Sequence, residues 1–190
     1  MINTRNISPF IAVGILNLNE FASEHANMSK RELEKAGSKF LLTQMLKTEA
    51  FELNYTAEKK PFLNARTEHI SISHSHDKLA VIINQKENTG IDIELIRDKV
   101  LKIQHKFLNQ NEINFTKNNI EKLITVWAAK EAMYKVYGLK ELDFKRNLFV
   151  EEFDGAVIFG KIDIGSFKKS YQLVCENVDD YKMVYVLNEI

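Results

Sequence analysis

One cysteine, two prolines and seven glycines in 190 residues leave several architectures without their raw material. Cys175 alone cannot form an internal disulfide, so a reducing, cytoplasmic setting is expected. So few prolines and glycines exclude collagen-like sequence and long flexible linkers. Charge of one sign is also missing. The 26 basic and 26 acidic residues cancel, whereas a protein that lives on a nucleic-acid backbone shows a basic excess. No nucleic-acid partner is therefore expected. Long apolar runs are absent as well. Residues 10–16 form the longest early one, seven residues against the ~20 that cross a bilayer. Arg5 precedes that run as in a signal peptide, but Asn17, Asn19 and Glu20 follow it where a small-residue cleavage site would stand. The run reads as a buried strand, with no membrane association. What remains is ordinary globular composition, 45% hydrophobic and 27% charged, enough for one large domain or two small lobes.

Periodicity divides the chain further. Residues 10–18 read as a first strand. Ser29 and Glu32 have capping-box spacing, and Leu33, Ala36, Phe40, Leu41 and Met45 recur at helical intervals, which predicts a helix over 30–48. Residues 53–69 are polar and punctuated by Pro61, so they read as irregular. Residues 70–75 and 79–84 are extended. Over 89–95 the alternation is strict: Ile91, Ile93 and Leu95 face one way, Gly90, Asp92 and Glu94 the other. Helices are predicted over 100–108 and 120–137, the second stopped by Gly138. Strands follow over 148–153, 156–162, 171–178 and 181–187. The class is α+β.

Two patterns carry chemistry. The first is Asp92-x-Glu94, two carboxylates on one face of a strand, roughly 6–7 Å apart along it. They repel unless a cation lies between them, and oxygen ligands of this kind suit Mg²⁺. A solvent-facing acidic strand would give the same pair. The second is Trp127, Glu131 and Lys135, which line one helix face at i, i+4 and i+8. On a solvated helix Glu131 and Lys135 would be a plain ion pair. Here Ile120, Leu123, Ile124, Val126, Met133 and Val136 make the helix apolar most of the way round, so it is expected to be buried. The two charges then need partners, such as a metal and a phosphate.

The patterns occur in a fixed order: Lys60-Pro61, Ser73-His74-Ser75, Gly90-Ile-Asp92-Ile-Glu94, then Trp127-x-x-Lys130-Glu131-Ala-x-x-Lys135. In this the chain resembles the 4′-phosphopantetheinyl transferase superfamily, and within it the single-chain, surfactin-synthetase-activating type. That family's hallmarks are G-[IV]-D and, some forty residues on, [FW]-x-x-K-E-[AS]-x-x-K. The resemblance implies two similar α/β lobes related by pseudo-twofold symmetry, residues 1–87 and 88–190, with the active site in the cleft between them. The implied activity is that of a holo-[acyl-carrier-protein] synthase: phosphopantetheine passes from coenzyme A to a serine of an acyl or peptidyl carrier protein, and adenosine 3′,5′-bisphosphate leaves. It implies Mg²⁺ on Asp92, Glu94 and Glu131, with Glu131 also accepting the serine proton and Lys135 holding a phosphate oxygen. His74, with Ser73, and Lys60 would contact coenzyme A. Lys39, before Phe40-Leu41-Leu42, stands where the family has a basic residue. Lys99, Lys102 and Lys106 offer a basic helix face to an acidic carrier. A monomer is expected, since two lobes in one chain already make the cleft.

The other histidines, His25, His69, His76 and His105, show no H-x-x-x-H spacing, so zinc is not expected. No phosphate-binding glycine loop of the G-x-x-x-x-G-K-[ST] or G-x-G-x-x-G kind occurs. Cys175 falls in an alternating strand and is expected in the core. Two rival readings are a metal-dependent phosphodiesterase and an inactive homologue that only binds coenzyme A or a carrier. The first commonly sets its last acid and lysine two apart on a strand, not four apart on a helix. The second is opposed by the presence of all three carboxylates and Lys135.

Overall fold

The computed structural model describes residues 2–23 and 28–190; His25 lies outside them. The chain divides into two compact units, Met1–Asn88 and Thr89–Ile190. Among the described residues strands pair only antiparallel in both units, and in each unit helices pack against the sheet. The architecture is mixed, of the α+β kind. Among the described residues no helix is long and apolar enough to cross a membrane.

The first unit begins with β1 (Ile2–Asn6), β2 (Ile11–Asn17) and a short α1 (Leu18–Ser23). Then comes α2 (Lys30–Leu46), opened by the anticipated capping box: the Ser29 side chain accepts from the Glu32 amide, and Glu32 accepts from the Ser29 amide at 2.8 Å. It is followed by β3 (Glu52–Tyr55), β4 (Pro61–Asn64), β5 (His69–Ser75) and β6 (Lys78–Asn84). The main sheet has the order β1-β2-β6-β5. The apolar face of α2, with Leu41 and Leu42, packs on Leu16, Leu79, Val81 and Ile83. Residues 53–69, expected to be irregular, hold the β3–β4 hairpin. Half of its residues are exposed and only Leu63 is buried, so alternation gave no signal.

The second unit runs β7 (Ile91–Leu95), α3 (Lys99–Ile103), α4 (Gln110–Thr116), α5 (Ile120–Tyr137), β8 (Leu148–Val150), β9 (Val157–Ile164), β10 (Phe167–Val178) and β11 (Tyr181–Glu189). The sheet order is β7-β11-β10-β9-β8. The helix expected over 100–108 ends at Ile103 and passes into a single 3₁₀ turn, Gln104–Lys106. Phe107 and Leu108 are fully buried outside any helix. The next helix, α4, starts at a second capping box, Asn109 with Glu112. By contrast α5 has the predicted bounds, and Gly138 ends it in the left-handed conformation (φ 68°) that glycine adopts without steric cost. Ala128, Ala129, Ala132, Met133 and Val136 of α5 join Val184 and Val186 of β11 in one core. Cys175 is half-buried against that core, its Sγ 3.7 Å from Thr125 Oγ1.

Candidate active site

The site of the second unit is made where α5 lies along β7. Gly90, just before β7, permits the approach: a Cβ there would collide with the carbonyl oxygen of Ala132. Because β7 alternates, Ile91 and Ile93 are buried on one face while Asp92 and Glu94 turn to the other. On α5 the spacing of four brings Trp127, Glu131 and Lys135 to one side. The two rows meet. Lys135 Nζ donates to Asp92 Oδ1 and to the Ile91 carbonyl, both at 2.8 Å. At the other end the Trp127 indole N–H donates to Glu94 Oε1 at 3.0 Å. Glu131 stands one helical turn from each.

Electrostatics single out Glu131. Its carboxyl is pushed up to about 7, first by burial and then by the negative charge of Asp92; Lys135 opposes the rise and Glu94 adds to it. Three carboxylates thus feel one another around a half-buried point. Lys135, expected to hold a phosphate, has protein partners in this state.

The Mg²⁺ ligand set expected from the sequence is not assembled as such. Among the described residues no group of three or more His, Cys, Asp or Glu side chains is gathered closely enough to hold a metal ion. Asp92 gives one oxygen to the Lys135 ammonium, and Glu94 gives one to the Trp127 indole. The donor chemistry nevertheless fits a hard divalent cation, since all three side chains offer carboxylate oxygens. Their mutual repulsion is what such a cation relieves.

Sequence reasoning missed a second charged group. Lys130, inside the Trp127–Lys135 motif, has 0% exposure. Its ammonium donates to Glu112 Oε2 at 2.7 Å, the Phe107 carbonyl at 2.7 Å and the Phe144 carbonyl at 2.8 Å. Glu112, also 0% exposed, accepts at its other oxygen from the Val150 amide at 3.0 Å. Burial pulls the Lys130 ammonium below its ordinary value, and the Glu112 charge opposes that pull. The available signal was a lysine flanked by Ala128, Ala129, Ala132 and Met133.

The remaining coenzyme A candidates lie in the first unit. Ser73 and His74 are neighbours on β5 and so face opposite ways: Ser73 is buried, His74 exposed. His74 Nδ1 is 3.3 Å from Glu34 Oε1 of α2, with half of the imidazole open to solvent (50%). Lys60 Nζ donates to Asn88 Oδ1 at 3.3 Å, and burial lowers its ammonium from the ordinary value. Lys39 is exposed on α2. Of the declined histidines, His69 sits on β5, His76 in the β5–β6 turn and His105 in the 3₁₀ turn. Lys99 and Lys102 are exposed on α3, and Lys106 is exposed in the turn after it.

The family model of the 4′-phosphopantetheinyl transferase superfamily matches residues 88–186, the stretch that holds β7, α5 and every residue of the carboxylate group. The chain belongs to this superfamily. As a member it is a transferase of phosphopantetheinyl groups, and the general partners of the superfamily are coenzyme A and carrier proteins. A comparison with curated proteins gave no match.

Proposed function

We propose that this transferase moves the 4′-phosphopantetheine group from coenzyme A to a serine of an acyl or peptidyl carrier protein and releases adenosine 3′,5′-bisphosphate. The observation that carries the reading is the meeting of Asp92, Glu94 and Glu131 with Lys135 along α5 and β7, inside the matched segment. We assign the chain to the single-chain, surfactin-synthetase-activating type, acting as a cytoplasmic monomer. The Lys60-Pro61 and Ser73-His74-Ser75 elements upstream of the matched segment favour that type.

Asp92, Glu94 and Glu131 would hold Mg²⁺, which supplies charge neutralisation at the pyrophosphate of coenzyme A. The chain's own groups do the rest. A serine hydroxyl is a weak nucleophile at neutral pH and needs a base. Glu131, with a carboxyl near 7, is matched to that task, because a base is most effective when its pKa lies near the working pH. Lys135 would exchange its contact with Asp92 for a phosphate oxygen, as a mobile point charge can. Lys39, Lys60, Ser73 and His74 are the proposed coenzyme A contacts. The exposed cations Lys99, Lys102 and Lys106 would receive an acidic carrier.

The test is incubation with coenzyme A, Mg²⁺ and a panel of apo carrier proteins, followed by chromatography for adenosine 3′,5′-bisphosphate. Its release only in the presence of a carrier is expected. Release without any carrier would favour hydrolysis of the coenzyme A pyrophosphate instead, with water taking the phosphopantetheine as free 4′-phosphopantetheine. Lys60→Ala and His74→Ala should each weaken coenzyme A binding by about 1–3 kcal/mol, as loss of a charge-assisted hydrogen bond does. Titration calorimetry reads this directly, and unchanged affinity in both variants would remove these residues from the nucleotide contacts.

A further inference from the structure

Trp127 is the single tryptophan of the chain, and its ring is mounted with unusual care. Phe107 meets it edge-on with centroids 5.1 Å apart, and Phe144 lies against it at 5.4 Å. Those two rings are themselves tied down. The main-chain carbonyls of Phe107 and Phe144 are two of the three acceptors of the buried Lys130 ammonium. Glu112, the third acceptor, carries the balancing charge. One buried cation therefore fixes both walls of the slot that holds the indole. From that slot the indole offers its one donor, and the donor meets Glu94 Oε1 at 3.0 Å.

A glutamate side chain has three rotatable bonds and loses considerable freedom when ordered. Fixing one carboxylate oxygen restricts the directions in which the carboxylate can present itself. We propose that Trp127 is a positioning residue that orients the Glu94 carboxylate toward a divalent cation, with Phe107, Phe144 and Lys130 as its mount. The inference rests on the reading of Glu94 as a metal ligand. Groups that orient a ligand from behind typically change metal affinity or activity about 10–100-fold when removed.

The single indole gives a single N–H proton resonance, so the contact can be read without any reaction. In the full chain, Glu94→Ala is expected to move that resonance, and titration of the wild type with MgCl₂ is expected to move it too. Trp127→Phe keeps an aromatic ring in the slot but loses the donor and part of the indole's volume. It should raise the Mg²⁺ concentration for half-maximal transfer about 10–100-fold, with the rate regained in excess Mg²⁺. An indole resonance indifferent to Glu94→Ala overturns the contact, whatever the reaction. A resonance that answers to Glu94→Ala, with an unchanged Mg²⁺ requirement in Trp127→Phe, overturns the positioning role alone. Wild-type transfer with an indole blind to MgCl₂ removes Glu94 as a ligand, and the proposal with it. Because the titration needs no turnover, it decides the metal contact even for a chain that transfers nothing.

Discussion

Glu131→Gln should lower turnover by at least about a hundredfold, since loss of a general base typically costs about 10²–10⁴ in rate. Gln keeps the size and one carbonyl oxygen but cannot take the serine proton near neutral pH. Coenzyme A should still bind, Mg²⁺ more weakly, and excess Mg²⁺ should not restore the rate. Full rescue by Mg²⁺ would reduce Glu131 to a ligand and move the base role to water or another carboxylate such as Glu94. The same variant has a signature in stability. The folded carboxyl lies at about 7, above its ordinary value of 4.5, so the folded state holds an extra proton between those limits. The stabilisation this gives is complete below about pH 4.5 and is lost as the pH rises through about 7. Above that the wild type carries the cost of a buried charge, increased by the charges of Asp92 and Glu94, and Gln does not. At pH 8 Glu131→Gln should therefore be the more stable protein, by on the order of 2 kcal/mol. Mg²⁺ should narrow that gap by stabilising the wild type. Denaturation curves at pH 5 and pH 8 with equal differences between the two proteins would contradict the raised Glu131 carboxyl.

Lys130→Ala should destabilise the fold by about 3–5 kcal/mol, the usual cost of removing one partner of a buried ion pair. Three acceptors lose their donor at once, and Glu112 is left charged with no exposure to solvent. The cost comes from the charge left behind, so it should shrink when both charges go. Lys130→Met combined with Glu112→Gln is expected to lose much less than the sum of the single variants, because partners in one network are strongly coupled. A urea titration showing less than about 1 kcal/mol for Lys130→Ala would mean that the pair contributes little to the folded state.

What could be read in the sequence follows from how strongly each segment is buried on one side. The helix α5 has eighteen residues, an apolar surface and a glycine stop, and its bounds are as predicted. The helix α2 declares itself through Ser29 and Glu32. Short or exposed elements do not. The strand β1, the helix α1 and the β3–β4 hairpin bury too little for periodicity to register. At 100–108 the apolar spacing continued through Phe107 and Leu108, but these are core residues of a loop, and Asn109 begins a new helix with its own cap. For the site, alternation set Asp92 beside Glu94 and helical spacing set Glu131 beside Lys135, while only the resemblance to the superfamily joined the two rows. Their partners were beyond such reasoning. That Lys135 binds Asp92, and that Trp127 binds Glu94, depends on how close β7 lies to α5, which Gly90 permits. Lys130 and Glu112 were invisible for a different reason. A charged residue in a sequence reads as surface, and only the fold shows that each encloses the other.

The claim that the carboxylate group of α5 and β7 performs phosphopantetheinyl transfer is tested most directly by the intact mass of a carrier protein after incubation with this chain, coenzyme A and Mg²⁺. The expected spectrum shows the carrier heavier by one phosphopantetheinyl group, the gain mapping to its serine, and no gain with Asp92→Ala even in saturating Mg²⁺. A wild-type chain that binds coenzyme A yet leaves every carrier at its original mass, or an Asp92→Ala chain that modifies the carrier at the wild-type rate, would contradict the account.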